Sequence, residues 1–376
     1  MNGSDVASGG VGHLYVHLPF CAHRCGYCDF VTAVGRLEGH AAYADALLAE
    51  LERGRWRLAP ELETVFLGGG TPTFTEPEAL DSVLAALPDA GELTVEANPE
   101  TVTPELASFL REGGVNRVSL GAQSFRPRLL EVLERVAGPD DVRRAVHNLR
   151  DAGFDNISLD LIYGIPGQSA ADLEADLADA LALEPDHLSC YELEAKQGTR
   201  FTHAHGDELA RQAEAMEGYA ERVVETLTGA GYRWYETANF CRSKRGRDLR
   251  AQHNLAIWRG ADYLGIGVGA VSTLGAERRR NLPSVARYVA ALEGGDAPPR
   301  EVERLDAPTR AVERLMLGLR LDEPFAVETA GVEDVVDADA LERLTVAGLV
   351  DRVGEGVRLT SRGRLLGGAV TAELLA

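Results

Sequence analysis

The chain of 376 residues is long enough for a full core and is expected to divide into two domains, and its 45% hydrophobic and 26% charged residues are ordinary for a soluble globular protein. A formal charge of −21, from 38 Lys and Arg against 59 Asp and Glu, argues against nucleic-acid binding, which rests on a basic surface, and fits solubility instead. No apolar run approaches the roughly 18 residues needed to cross a bilayer, and residues 1–10 carry neither a basic leader nor an apolar core, so a reducing cytoplasmic compartment is expected.

After a short tail at 1–12, strand-like segments at 13–18, 64–67, 93–97, 117–121, 157–161 and 187–193 alternate with helix-like segments at 43–51, 77–87, 104–112, 140–152 and 171–183. Pro77 and Pro104 mark first helical turns. Six β/α units in succession predict a parallel sheet, because each return needs a crossover helix. The expected fold is α/β, a closed or partial (β/α)6 TIM-like barrel over residues 13–230, with a doubly wound open sheet as the alternative. Residues 231–300 read as an extension, with a strand at 232–238 and a glycine-rich stretch at 263–269. Ala297-Pro298-Pro299 marks a boundary. Beyond it, helices at 310–319 and 338–347 and a hairpin turning at 354–356 suggest a small winged-helix-like domain over 301–376. That segment sums to −6, nine Arg against fifteen Asp and Glu, so an interaction or lid role is expected rather than DNA binding.

Three of the five cysteines, Cys21, Cys25 and Cys28, lie in one loop just after the first strand. A structural zinc site would want a fourth ligand, which His23 could supply only from a cramped position. A disulfide with a spare thiol suits a secreted protein better than this chain. An iron–sulfur cluster on three Cys, with one iron left open, fits the spacing without strain. Further unusual segments follow the next strands: Gly68-Gly69-Gly70-Thr71-Pro72, Glu96-Ala97-Asn98-Pro99, Gly121-Ala122-Gln123-Ser124-Phe125, and Asp160 with Tyr163-Gly164-Ile165-Pro166-Gly167-Gln168. All five collect at the carboxyl ends of parallel strands, where such barrels build their sites. The triglycine lets main chain approach a ligand closely, with N–H and C=O groups suited to an amino-acid-like molecule; the plain alternative is a strand-to-helix turn capped by Thr71.

These segments together resemble the radical S-adenosylmethionine superfamily, and most of all its branch of oxygen-independent coproporphyrinogen III oxidases and HemW-type heme chaperones. The resemblance runs over essentially the whole chain from about residue 13. It implies that Cys21, Cys25 and Cys28 ligate a [4Fe-4S] cluster whose open iron is chelated by S-adenosylmethionine. It also implies that Tyr15 and Tyr27 line that site, that Gly69, Gly70 and Thr71 hold the methionyl end, and that Glu96, Gln123, Arg135 and Asp160 supply the remaining contacts. Read alone, Arg135 could equally be a solvated helix residue.

Within the branch, the oxidases resemble Cys-x3-Cys-x2-Cys-x-Cys, whereas Phe30 stands at the fourth position here, as in the chaperones. The oxidases also carry an extension before the first strand, for which a strand beginning near residue 13 leaves no room. His253-Asn254-Leu255-Ala256-Ile257-Trp258 resembles the chaperones' His-Asn-x-x-Tyr-Trp, which implies His253 as an axial heme ligand and Trp258 as a cover for the porphyrin face. Ile257 departs from the usual Tyr, and Ala137 from a frequent His. Outside the resemblance, His253 reads as a capping or packing residue. Cys190 reads as a buried small hydrophobe, Cys241 as an exposed thiol, and His203 and His205 as members of a polar loop.

The expectation is a heme chaperone that carries a cluster and S-adenosylmethionine and delivers heme to client hemoproteins, respiratory or membrane-associated ones among them, as monomer or homodimer. The alternatives are a coproporphyrinogen III oxidase of porphyrin biosynthesis and a radical enzyme on another substrate.

Overall fold

The computed structural model describes residues 10–35, 39–194, 200–244, 246–327 and 331–375. Most of the expected tail, and with it most of the segment read for an export leader, lies outside them; of the tail, Val11 is bridged to Leu58. Six strands, β1 (His13–Leu18), β2 (Leu62–Gly69), β3 (Ala90–Ala97), β4 (Arg117–Gln123), β5 (Ile157–Tyr163) and β6 (His187–Glu192), pair in chain order and in parallel. Leu264–Ile266 extends the sheet in parallel beside β1, and Asn239–Arg242 then Tyr232–Trp234 extend it antiparallel beyond β6. The resulting nine-stranded sheet keeps two edges, so the barrel is partial.

The helices start where local chemistry starts them. Pro77, Pro104, Pro127 and Pro139 occupy first turns, where a missing N–H costs nothing. The Thr103 hydroxyl accepts from Leu106 N at 3.2 Å, and Ser169 with Asp172 forms a capping box. One face of the sheet packs Leu14, Val16, Val65, Leu67, Leu93, Val95, Val118, Leu120, Leu159 and Leu188 against these helices in a single apolar core. The alternate positions are polar: His13, Thr64, Glu92, Thr94, Arg117, Ser119, Ser158, His187 and Ser189 are all buried. Parallel strands covered on both faces normally read as unbroken apolar runs. Here the period-two alternation marks an inner wall built to hold polar groups.

Three sequence expectations change. The strand expected at 232–238 is two strands around a turn, because the buried Glu236 carboxylate accepts from Ala238 N at 3.0 Å and Asn239 Nδ2 at 2.6 Å. His203 and His205 belong to helix Arg200–Gln212 rather than a loop; its few apolar anchors, Phe201 and Leu209 among them, make a thin periodic signal. A second helix, Met216–Gly229, follows it. Cys241 is buried, not exposed, since its strand pairs with β6 and packs with Tyr235 and Leu249.

Past Arg300–Arg304, which joins the sheet of Val271–Leu274 and Glu277–Asn281, the chain forms helices Ala307–Gly318 and Ala338–Val346 and the hairpin Val350–Val353/Gly356–Leu359. These close on a separate core containing Leu315, Leu319, Leu341, Leu344 and Val357, the small helix-and-hairpin unit expected. Among the described residues no helix is long and apolar enough to cross a membrane.

Candidate functional site

The loop with the three cysteines leaves β1 through Phe20–Cys21, which pairs in parallel with Ala33–Val34 and so pins both ends of the loop. Cys21 is buried, Cys25 and Cys28 are half-buried, and all three are free thiols. A chain of contacts ties Cys21 and Cys25 to neighbouring segments. Thr71 Oγ1 donates to Cys21 Sγ at 3.5 Å and accepts from Asn98 Nδ2 at 3.3 Å. Asn98 Oδ1 accepts from Arg135 Nη2 at 3.0 Å, and Arg135 Nη1 reaches Cys25 Sγ at 3.6 Å. Thr71 makes no side-chain cap bond to the turn that follows it, so the plain capping role does not account for its position. His23, the one candidate to complete a four-ligand zinc site, stands 3.9 Å from Glu134. Among the described residues no three His, Cys, Asp or Glu side chains converge on a point that could hold a single ion.

The glycines are demanded by contact. Gly69 has φ +108°, and a Cβ there would lie 2.5 Å from the His17 ring; one on Gly70 would lie 2.5 Å from the Pro19 carbonyl carbon. Their N–H groups are already spent, Gly69 on Glu96 at 3.1 Å, Gly70 on Leu18 O and Thr71 on Phe20 O, each at 2.8 Å. Gly69, Gly70 and Thr71 therefore have no spare main-chain donor for a carboxylate.

Two unpaired atoms complete the corner. Arg135 Nε and Glu100 Oε2 are both buried without a hydrogen-bond partner among the described residues. Glu100 is held by Asn98 Nδ2 at 3.3 Å, so it belongs to the same chain of contacts as Arg135. One orphaned donor and one orphaned acceptor beside three thiols match the carboxylate and ammonium of an amino-acid end. Glu100, in Asn98-Pro99-Glu100, joins this corner, and sequence reading missed it.

The other sequence candidates line the same rim and the wall beneath it. Gln123 sits at a β-bulge with φ +64° and folds its amide over Gly121. Asp160 accepts from Ser119 Oγ at 3.2 Å. Tyr27 packs against the small cluster of Leu129, Leu133 and Ile162. Tyr15 donates to His17 Nδ1 at 3.0 Å, and His17 Nε2 donates to Val31 O at 2.8 Å, just past the cysteine loop. Burial pushes His17 down to about 4, which keeps it neutral in that tautomer.

Burial, and after it the Asp160 carboxyl, pushes Glu96 up to about 7. A carboxyl raised in the folded state contributes stability that is present at acid pH and lost as pH rises through its folded pKa. Relative to Glu96→Gln, the wild type is therefore expected to weaken by up to roughly 3 kcal/mol between about pH 4.5 and 7 and to change little above. Denaturant midpoints of both proteins at pH 5 and pH 8 check this; a constant difference would contradict it.

His253 and Trp258 are not brought to the rim. They lie on the helix Gln252–Trp258, whose first N–H groups are held by Glu92 at 3.2 Å, near the start of β3, so the helix plugs the amino-terminal mouth of the barrel. His253 is buried against Tyr15 and Phe66, with Nδ1 2.8 Å from Thr64 Oγ1 and Nε2 unpaired among the described residues. Burial drives it down to about 3, so it is a neutral imidazole. Beside it opens a cleft of about 720 Å³ lined by His13, Gln252, Leu255, Ala256 and Arg259. Arg320 lies over the Trp258 ring at 4.5 Å, and Arg250 and Arg259 both pair with Glu323, which clamps the helix to the segment that follows helix Ala307–Gly318 in the C-terminal unit.

The two ends of the barrel are joined through its interior. Ala251 N donates to Tyr235 OH at 3.1 Å, Tyr235 OH donates to His187 Nε2 at 2.8 Å, and His187 Nδ1 donates to Ser158 Oγ at 2.8 Å. Ser158 Oγ lies 3.5 Å from Asp160, at the rim side.

Comparison with known proteins places this geometry. Residues 15–180 match the radical SAM superfamily model, and residues 305–366 match the HemN C-terminal domain model. The heme chaperone HemW of Mycobacterium tuberculosis strain H37Rv is 36% identical over 375 residues, covering 96% of this chain and 94% of that protein. HemW of Bacillus subtilis strain 168 is 33% identical over 96% of this chain and 98% of the relative. HemW of Escherichia coli K12 is 38% identical over 68% of each. The solved structure of E. coli coproporphyrinogen III oxidase (HemN) shares the fold, with a TM-score of 0.79 at 23% identity over 97% of this chain and 90% of that one.

Proposed function

Because the chain belongs to the HemW heme-chaperone family of the radical SAM superfamily, we propose that it binds heme and delivers it to client hemoproteins, with a [4Fe-4S] cluster on Cys21, Cys25 and Cys28 and S-adenosylmethionine beside it. The observation that carries this reading is similarity to heme chaperones over 96% of the chain. Phe30, exposed two residues after Cys28 where the oxidases resemble Cys, supports it.

When bound, the cluster and S-adenosylmethionine supply one-electron chemistry. The residues fit both. Arg135 would receive the carboxylate, Glu100 and the glycine turn the ammonium, and Glu96 and Asp160 the hydroxyl-bearing part. Tyr27 and the buried rim exclude water. Tyr15 holds His17 against the segment that follows the cysteine loop, and Gln123 shapes the wall beside Arg135.

For heme, His253 offers a neutral imidazole with one unpaired nitrogen, the form that ligates iron. It is walled in by aromatic rings, so heme would have to approach through the cleft lined by Gln252, Leu255 and Ala256 of the same helix, which Trp258 and Glu323 hold in place. His253→Ala is expected to weaken or shift the Soret band of added heme by several-fold in affinity; unchanged spectra would remove His253 from the site.

The test against the oxidase reading is anaerobic incubation of the reconstituted protein with S-adenosylmethionine, reductant and coproporphyrinogen III. Unaltered substrate is expected. Formation of protoporphyrinogen would overturn the chaperone reading.

A further inference from the structure

Away from the polar interior, a pocket with about 280 Å³ of free space lies between the end of helix His40–Gly54 and the sheet containing Glu277–Asn281 and Arg300–Arg304. Arg53 and Arg57 enter it from the helix end and Arg279 and Arg300 from two adjacent strands, with Trp56 on its lip. Arginines beyond a helix C-terminus can simply complement its dipole. That explains Arg53, but not two more arriving from strands over two hundred residues away.

The charges are not balanced within the pocket. Glu50 spends its oxygens on Gly267 N at 2.8 Å, Asn281 Nδ2 at 2.9 Å and Tyr288 OH at 2.7 Å, with Arg300 3.7 Å off. Arg279 pairs with Glu277. Arg53 donates to Gly295 O at 2.9 Å, and Arg57 lies over the Trp56 ring at 4.0 Å; neither forms a direct ion pair with a carboxylate among the described residues, and Glu277 acts on Arg57 only at longer range. Four guanidinium groups against two carboxylates leave two positive charges in a chain whose net charge is −21. Burial, then Arg279 and Arg300, lowers the proton affinity of Arg57, so the cluster is held together against its own repulsion. Trp56 is 69% exposed, a large apolar surface next to that charge.

We propose that this pocket binds a phosphate-bearing ligand, the doubly charged oxyanion held by Arg57, Arg279 and Arg300 and the organic part resting on Trp56. Guanidinium forks match phosphate oxygens in pairs, and two surplus positive charges match a phosphate dianion better than a single carboxylate. The space suits one such group rather than a large cofactor. A soluble phosphate ester and a lipid headgroup share this chemistry.

The test is calorimetric titration of the full-length, cluster-loaded protein with phenyl phosphate and with pyrophosphate, alongside pelleting with phosphatidylcholine vesicles with and without phosphatidic acid. Saturable binding is expected for both probes, at least tenfold weaker in Arg57→Ala and in Arg279→Gln and weakened by salt. Trp56→Ala is expected to weaken phenyl phosphate more than pyrophosphate. Pelleting only with phosphatidic acid, competed by phenyl phosphate, would identify a headgroup as the source; soluble binding without pelleting would identify a free ester. Absence of saturable binding by every probe, or equal binding by wild type and both arginine variants when all are folded by circular dichroism, would overturn the proposal.

Discussion

Replacing Cys21, Cys25 or Cys28 singly by Ala is expected to reduce bound iron and acid-labile sulfide after anaerobic reconstitution to background. The loop offers three thiols and no fourth: His23 stands by Glu134, and Phe30 occupies the next place where a cysteine could stand. A cluster that already leaves one iron without a protein ligand has no ligand to spare. Thr71, just past the second strand, and Arg135, between helices Pro127–Val132 and Pro139–Asp151, contact Cys21 and Cys25, so losing one thiol removes a ligand and leaves the other of these contacts to hold the loop. Cys190→Ala and Cys241→Ala, both in apolar packing, are expected to keep the full iron complement. A Cys25→Ala protein with full iron and sulfide would contradict the assignment.

The second large effect is on stability. Arg117 is 2% exposed inside the barrel, and its charge draws down the pKa of Glu92, Glu96 and Asp160 against the burial that raises them. Arg117→Leu leaves three buried carboxyls without that counter-charge. Removing one partner of a buried charge group typically costs about 3–5 kcal/mol. The variant is expected to lose that much in denaturant unfolding at pH 8, and less at pH 5, where Glu96, raised to about 7, is protonated. A pH-independent loss below 1 kcal/mol would show that Arg117 is compensated elsewhere.

Much of this architecture was legible because local signals agreed. Strand starts at His13, Arg117, Ile157 and His187 and helix Pro104–Glu112 follow from alternation, Pro at first turns and side-chain caps. Thiols, glycines and rim carboxylates were readable as one site because they fall after consecutive parallel strands. What was not readable depends on contacts far apart in sequence. Glu100 gains meaning only beside Arg135, and Arg117, His187 and Tyr235 only once the inner wall is seen to be polar. The alternation of Ser158, Asp160, Ser119 and Thr94 was the available signal, since central parallel strands seldom carry it. The place of His253 was hidden for the same reason: helix Gln252–Trp258 is only seven residues long, and Glu92, 161 positions earlier, fixes its start. Residues 53–57, Arg-Gly-Arg-Trp-Arg, gain meaning only once Arg279 and Arg300 join them.

The chaperone reading rests on heme itself. The deciding measurement is an anaerobic titration of heme into the full-length, cluster-loaded protein, followed by its Soret absorption. Saturation near one heme per chain, with a band distinct from free heme, is the predicted result. A linear rise with the spectrum of unbound heme at every addition would contradict it.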